Sequence, residues 1–133
     1  MKNQAKGTFE VKLAPIAAYN QDEGASLGRM SIDKQFHGDL EATSKGEMLT
    51  ASTTTHGSAG YVAMERVTGT LAGRMGTFAL QHSGTMNRGE AELSVDVVPD
   101  SGTGELAGLA GLMVIKMAEK KHFYDFEYSL PDA

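Results

Sequence analysis

The sequence predicts an all-β fold, best satisfied by a closed antiparallel β-barrel of about eight strands. Three observations carry that expectation. Apolar and polar residues alternate along most of the chain, which is the period of a strand with one buried face. Glycine recurs about every ten residues while proline is scarce, so the punctuation is that of turns between strands. No long segment carries an apolar stripe at the 3.6-residue helical period. Closing the sheet hides its edges most completely, although a two-sheet sandwich fits the same pattern nearly as well. The 133 residues fit a single β-barrel domain, 1–133.

The strands read in order. The first covers 7–13, with Phe9, Val11 and Leu13 on one face and Thr8, Glu10 and Lys12 on the other; Pro15 should end it, because proline cannot donate to the ladder. A polar loop follows at 19–26. The second strand covers 29–36, with Met30, Ile32, Lys34 and Phe36 sharing a face, and Gly38 marks a bulge. The third covers about 43–52, and 53–60 has the composition of a loop.

The clearest hairpin joins 61–71 to 74–85 through Ala72-Gly73. A two-residue turn there pairs Leu71 with Arg74. The register then pairs Val67 with Phe78, Glu65 with Leu80, and Ala63 with His82. The sixth strand covers 91–98 and stops at Pro99-Asp100-Ser101-Gly102. The glycine-spaced segment 103–111 holds a helical turn at most. The last hairpin joins 112–117 to 122–129 around Lys120-Lys121.

Composition excludes several function classes. There is no cysteine, hence no disulfide framework, no thiolate nucleophile and no Cys-based zinc site. The net charge is −5, and the one basic cluster (Lys116, Lys120, Lys121 and His122, broken by Glu119) reads as a solvated hairpin end, so no nucleic-acid partner is expected. The start of the chain has no signal-peptide core. The longest apolar run, 106–115, is too short to span a bilayer. The expectation is a soluble, cytoplasmic protein with no membrane partner.

The first candidate site is Glu65 with His82. In the register above they are diagonal neighbours on one face, within reach of long side chains. A histidine beside a carboxylate inside a barrel is an acid–base pair poised near neutral pH. Tyr61, Val67, Phe78 and Leu80 share that face and form a candidate ligand-binding lining, apolar with few polar groups. The alternative is a buried His–Glu hydrogen bond that only holds the barrel together.

Residues 102–111 (GTGELAGLAG), the apolar strand after them and 121–128 (KHFYDFEY) resemble the end of allene oxide cyclase, where a glycine-rich turn leads into the last two barrel strands. The stretches 36–41 (FHGDLE), Glu65-Arg66, 73–84 (GRMGTFALQHSG) and 97–104 (VVPDSGTG) resemble a bacterial family of small proteins of unknown function, along almost the whole chain. The resemblance implies an eight-stranded barrel with a cavity and a homo-oligomer. It also places Glu10 at the cavity-facing glutamate of the cyclases and Lys12 where they carry asparagine; the plant enzyme's cysteine has no counterpart here.

Glu10 and Lys12 are therefore a second candidate pair. If they face inward, Glu10 joins the acid–base candidates and Lys12 the ligand-binding ones. Bare alternation instead turns Phe9, Val11 and Leu13 inward. Arg66 and Gln81 fall opposite Glu65 and His82; Arg66 either anchors a carboxylate by a bidentate bond or sits at the surface or a subunit contact. The four histidines, His37, His56, His82 and His122, show no metal-ligand spacing, so no metal is expected. His37, Asp39 and Glu41 read as an exposed turn. The match of 102–111 to a phosphate-binding glycine loop is partial and lacks a βαβ unit, so no cofactor is expected. Met64, Met75, Met113 and Met117 read as core or interface filler.

Three functions fit. The leading one is a small-molecule-binding barrel for an apolar or amphipathic metabolite. The second is a cofactor-free isomerase or cyclase using Glu65, His82 and Glu10. The third is an oligomeric structural or interaction protein with a filled barrel. A filled interior favours the third, an open cavity with no perturbed titrating group the first, and an open cavity in which Glu65 and His82 touch and face inward the second.

Overall fold

The computed structural model describes residues 2–131. Its eight strands run in sequence order around a closed barrel. They are β1 (Asn3–Ile16), β2 (Ser26–Gly38), β3 (Leu40–Ser52), β4 (Ala59–Leu71), β5 (Arg74–Asn87), β6 (Glu90–Val97), β7 (Ala110–Ala118) and β8 (Lys121–Ser129). β8 returns to β1, pairing His122–Tyr128 with Phe9–Asn3. That closure excludes the sandwich and covers the β1 edge from Asn3 to Phe9.

The Ala72-Gly73 hairpin has the register read from sequence, with Leu71 opposite Arg74 and Val67 opposite Phe78. Ala72 and Gly73 have φ of 49° and 85°, the left-handed conformations a two-residue turn of this twist requires. Pro15 differs from expectation. β1 runs through it to Ile16, with Pro15 opposite Met30. The stagger of the barrel explains why: β1 pairs with β8 only over Asn3–Phe9, so at Pro15 one side of the strand has no ladder to interrupt.

Alternation sorts every strand into an inner and an outer face. Ala5, Phe9, Ile32, Phe36, Ala42, Val67, Phe78, Leu80, Val95, Met113 and Phe126 are buried inside. Outward positions such as Glu10, Lys12, Asp33, Lys45 and Arg66 are exposed. Among the described residues, no helix is long and apolar enough to cross a membrane.

The two ends of the barrel differ. One end is plugged. The connection between β6 and β7 folds under it, and its single turn of 3₁₀ helix (Gly104–Leu106) places Leu106 and Leu109 in the core with Leu40, Leu71, Phe78, Phe126 and Tyr128. This connection also covers the start of β5. Thr103 N donates to Thr77 O at 2.8 Å, Thr77 N to Thr103 Oγ1 at 3.1 Å, and Met75 N to the Glu105 carboxylate at 3.1 Å. The Tyr124 hydroxyl accepts from Leu40 N at 2.9 Å and lies 3.0 Å from His37 O, tying β8 to the β2–β3 turn at the same end.

The opposite end is open. There Leu13, Met86, Leu93 and Met117 occupy inward positions yet remain 45%, 44%, 47% and 66% exposed. The wall also thins on one side. Among the described residues, Asp96 opposite Leu112 is the one register pair between β6 and β7, and a cleft of about 360 Å³ separates the strands around Leu93–Asp96 and Leu112–Ile115.

Candidate functional site

Halfway down the barrel the apolar interior is interrupted by charge. Lys34 on β2, Ser44 on β3, Glu65 on β4 and His82 on β5 are all buried. Alternation puts each on the inner face, and the antiparallel register brings them together: Lys34 lies opposite Ser44, Gly46 opposite Glu65, and His82 opposite Ala63, diagonal to Glu65. Gly46 is needed for the approach. A Cβ there would collide with Met64 O and come within 2.6 Å of Glu65 Cα, so a side chain would push β4 away.

Glu65 is the hub. Its Oε2 accepts from Lys34 Nζ at 2.8 Å and from His82 Nε2 at 2.6 Å, and its Oε1 accepts from Ser44 Oγ at 2.8 Å. The Lys34 ammonium also lies 4.9 Å from the Phe9 ring centroid and 5.7 Å from that of Phe36, so ring faces stabilise what the carboxylate leaves over. Burial pushes the Glu65 carboxyl up, but the His82 hydrogen bond and the Lys34 charge outweigh it and hold the group at about 2. Glu65 is thus an ionised acceptor. His82 Nε2 must carry the hydrogen that joins them, and in a neutral imidazole Nδ1 is left as an acceptor.

Nδ1 points toward the open end, 3.4 Å from the Tyr61 hydroxyl. Tyr61 is half-buried, and burial together with the Glu65 charge raises its phenol above the usual value, so it keeps its proton. Its ring lies against Gly84, where a Cβ would stand 2.5 Å from Cε1. Above it opens a cavity of about 480 Å³, lined by Met30, Met48, Tyr61, Met86 and Leu93 with the ends of β3 to β6. That volume is in the range of small-molecule sites, about 300–1,000 Å³. A polar chain therefore runs from Tyr61 at the cavity floor through His82 and Glu65 to Lys34.

The structure brings Glu65, His82 and Tyr61 together as the register implied. It places the other sequence candidates elsewhere. Glu10 and Lys12 are on the outer face, because Phe9 and Val11 turn inward; Glu10 bonds His37 outside the barrel, at 3.0 Å. The inward Glu10 that the resemblance implied is thus outside this cavity. Val67, Phe78 and Leu80 are buried at the plugged half and do not line the cavity. Met117 is an inward residue of the open rim and not part of the core. Lys34 and Ser44 were not among the sequence candidates. The signal for Lys34 was its place in the face Met30, Ile32, Lys34, Phe36, where a lysine must be buried and paired.

A larger hollow of about 820 Å³ lies on the outer wall and is lined by Lys45, Glu47, Met64 and Arg66. Glu65 and Ser44 border it, but their side chains are hydrogen-bonded to each other inside the barrel. Among the described residues, no three His, Asp or Glu side chains form a group that could hold a metal ion.

No curated protein matches the chain. A crystal structure of a protein of unknown function from the DUF3224 family of Shewanella oneidensis MR-1 is similar, with 50% identity over all of both chains and a TM-score of 0.96. The family model described as "Protein of unknown function (DUF3224)" matches residues 5–128, and the chain belongs to that family.

Proposed function

We propose that the protein is a small-molecule-binding barrel whose open end takes an apolar or amphipathic ligand above Tyr61. One observation carries this reading. A cavity of about 480 Å³, almost wholly apolar, ends on a single phenol backed by a fully paired polar network. Apolar surface left at inward positions, with one oriented polar group at the floor, is the make-up of a ligand site. A barrel serving only as a scaffold would gain stability by filling that space.

A second reading is a cofactor-free isomerase or cyclase, the direction in which the resemblance to allene oxide cyclase points. The contact of His82 with Glu65 at 2.6 Å favours it. In that reading Tyr61 and His82 exchange the proton with the ligand, while Glu65, ionised and behind them, orients the imidazole. Glu65 itself is too acidic, at about 2, to serve as the base near neutral pH.

Assembly into a homo-oligomer is part of the same proposal. Leu49, Val62 and Met64 are exposed, and register places them side by side on the outer wall. Native mass spectrometry of gently purified protein tests both points. The expected result is a multiple of the chain mass carrying a small molecule, which the cavity-filling variant Met48→Trp loses. The same protein free of ligand, in both forms and with a panel of apolar metabolites added, would overturn the binding reading.

A further inference from the structure

The charges around the cavity constrain the ligand beyond its being apolar. Lys34 is the one lysine in the barrel's polar chain, and Glu65 pairs with it at 2.8 Å with side-chain exposures of 6% and 0%. Ser44 and His82 occupy the remaining carboxylate contacts. Lys34 thus offers no spare positive charge to the cavity. Among the described residues, no lysine or arginine lines the cavity, and Glu92, on the outer face of β6 beside Leu93, is the charged residue at its edge. The basic groups at this end lie outside the lining: Arg88 and Lys120 in turns, Lys121 at the start of β8, and Arg29 in β2, paired with Glu47. What the floor presents is a phenol whose contact to His82 Nδ1 is long, at 3.4 Å, and therefore easily exchanged for a better partner.

We infer that the cavity selects an uncharged ligand, an apolar body with one carbonyl or hydroxyl that meets Tyr61, and discriminates against carboxylates. This rests on the binding reading above and deepens it. A carboxylate carried to Tyr61 would lose its hydration, find no unpaired lysine or arginine in the lining and feel the charge of Glu65. A ketone loses far less hydration and takes the phenol hydrogen in exchange for the long contact to His82. An alcohol can donate to the phenol oxygen or accept from its hydrogen.

Methionine methyl groups report on this directly. Met30, Met48 and Met86 line the cavity, whereas Met64 and Met75 are exposed on the outer wall and serve as internal controls. The experiment is a titration of methyl-labelled protein at pH 7.5 with 2-decanone and with decanoate, each below its aggregation threshold. The expected result is saturable shifts at the three cavity methyls with 2-decanone, and an affinity for decanoate lower by roughly ten-fold or more. Tyr61→Phe should weaken 2-decanone by roughly five-fold, the worth of one hydrogen bond. Decanoate binding in the cavity as tightly as the ketone overturns the charge selectivity and leaves the cavity as a ligand site. No saturable shift with either probe overturns the binding reading and this inference with it. Shifts equal at Met64 and Met75 mean that the probes coat the surface, and this too overturns the inference.

Discussion

Glu65 Oε2 lies 2.8 Å from Lys34 Nζ, and both side chains are withdrawn from water. Two charges in a barrel interior are tolerated because each is the other's solvent. Removing one should cost far more than removing both. Glu65→Ala is expected to destabilise the protein by about 3–5 kcal/mol in urea denaturation, because it strands the ammonium. The double variant Lys34→Met/Glu65→Leu, apolar and of similar volume, should recover most of that loss. Equal losses in the single and double variants would mean that the pair is not coupled.

Acid should expose the same pair. The ordinary carboxyl value, 4.5, is lowered to about 2 in the folded protein. The folded value is the lower one, so the ionised form favours folding. Its contribution is fully present above 4.5 and disappears as pH falls through 2. A shift of that size corresponds to about 3 kcal/mol. Stability measured from pH 6 down to pH 2 should fall more steeply in the wild type than in Glu65→Gln. Parallel curves would assign the acid loss to other carboxylates.

Two glycines should fail in different ways. Gly46→Ala meets the β4 backbone at Met64 and Glu65, so its cost should be about 2 kcal/mol or more, read by thermal unfolding. Gly84→Ala meets a side chain instead, the Tyr61 ring at 2.5 Å. That ring can swing toward the cavity, so the variant should keep most of its stability while ligand affinity falls.

His82→Ala separates structure from function. Glu65 keeps Lys34 and Ser44, so folding should survive with a loss of roughly 2–3 kcal/mol. Binding of an alcohol that donates to the phenol oxygen should weaken, because Tyr61 then has no His82 Nδ1 to take its own hydrogen. A lowered melting temperature with unchanged affinity would make the His82–Glu65 bond purely structural.

The β6–β7 seam should be the least protected part of the wall. Its one register pair, Asp96 with Leu112, leaves the facing backbone toward the open end without a ladder. Hydrogen exchange should be faster for the β6 and β7 amides that face this cleft than for the β4–β5 hairpin, which is paired from Ala59 to Leu71. Uniform protection around the barrel would contradict the thin seam.

Much of this was legible in the sequence, for local reasons. Ala72-Gly73 fixes a turn, the turn fixes a register, and the register puts Glu65 diagonal to His82. Alternation in β2 also put Lys34 on the inner face with Phe36, although a partner for it could only be named once β2 lay two strands from β4. What stayed hidden depends on closure. The stagger of β1 lets Pro15 sit within a strand. The height of each inward residue along the barrel decides whether it packs, as Val67 and Phe78 do, or lines an open mouth, as Met48 and Met86 do. The inward assignment of Glu10 came from resemblance, and simple alternation of Phe9 and Val11 opposed it correctly.

The central claim is that the open end, and not the outer wall, receives a small molecule above Tyr61. Soaking crystals in 2-propanol tests it most directly, because a small amphipathic solvent marks the sites where an apolar group and a hydroxyl are satisfied together. The account predicts solvent molecules clustered among Met30, Met48, Tyr61 and Met86, with a hydroxyl on the Tyr61 phenol. A mouth filled by its own side chains, with solvent gathered instead in the hollow by Lys45 and Arg66, would contradict it.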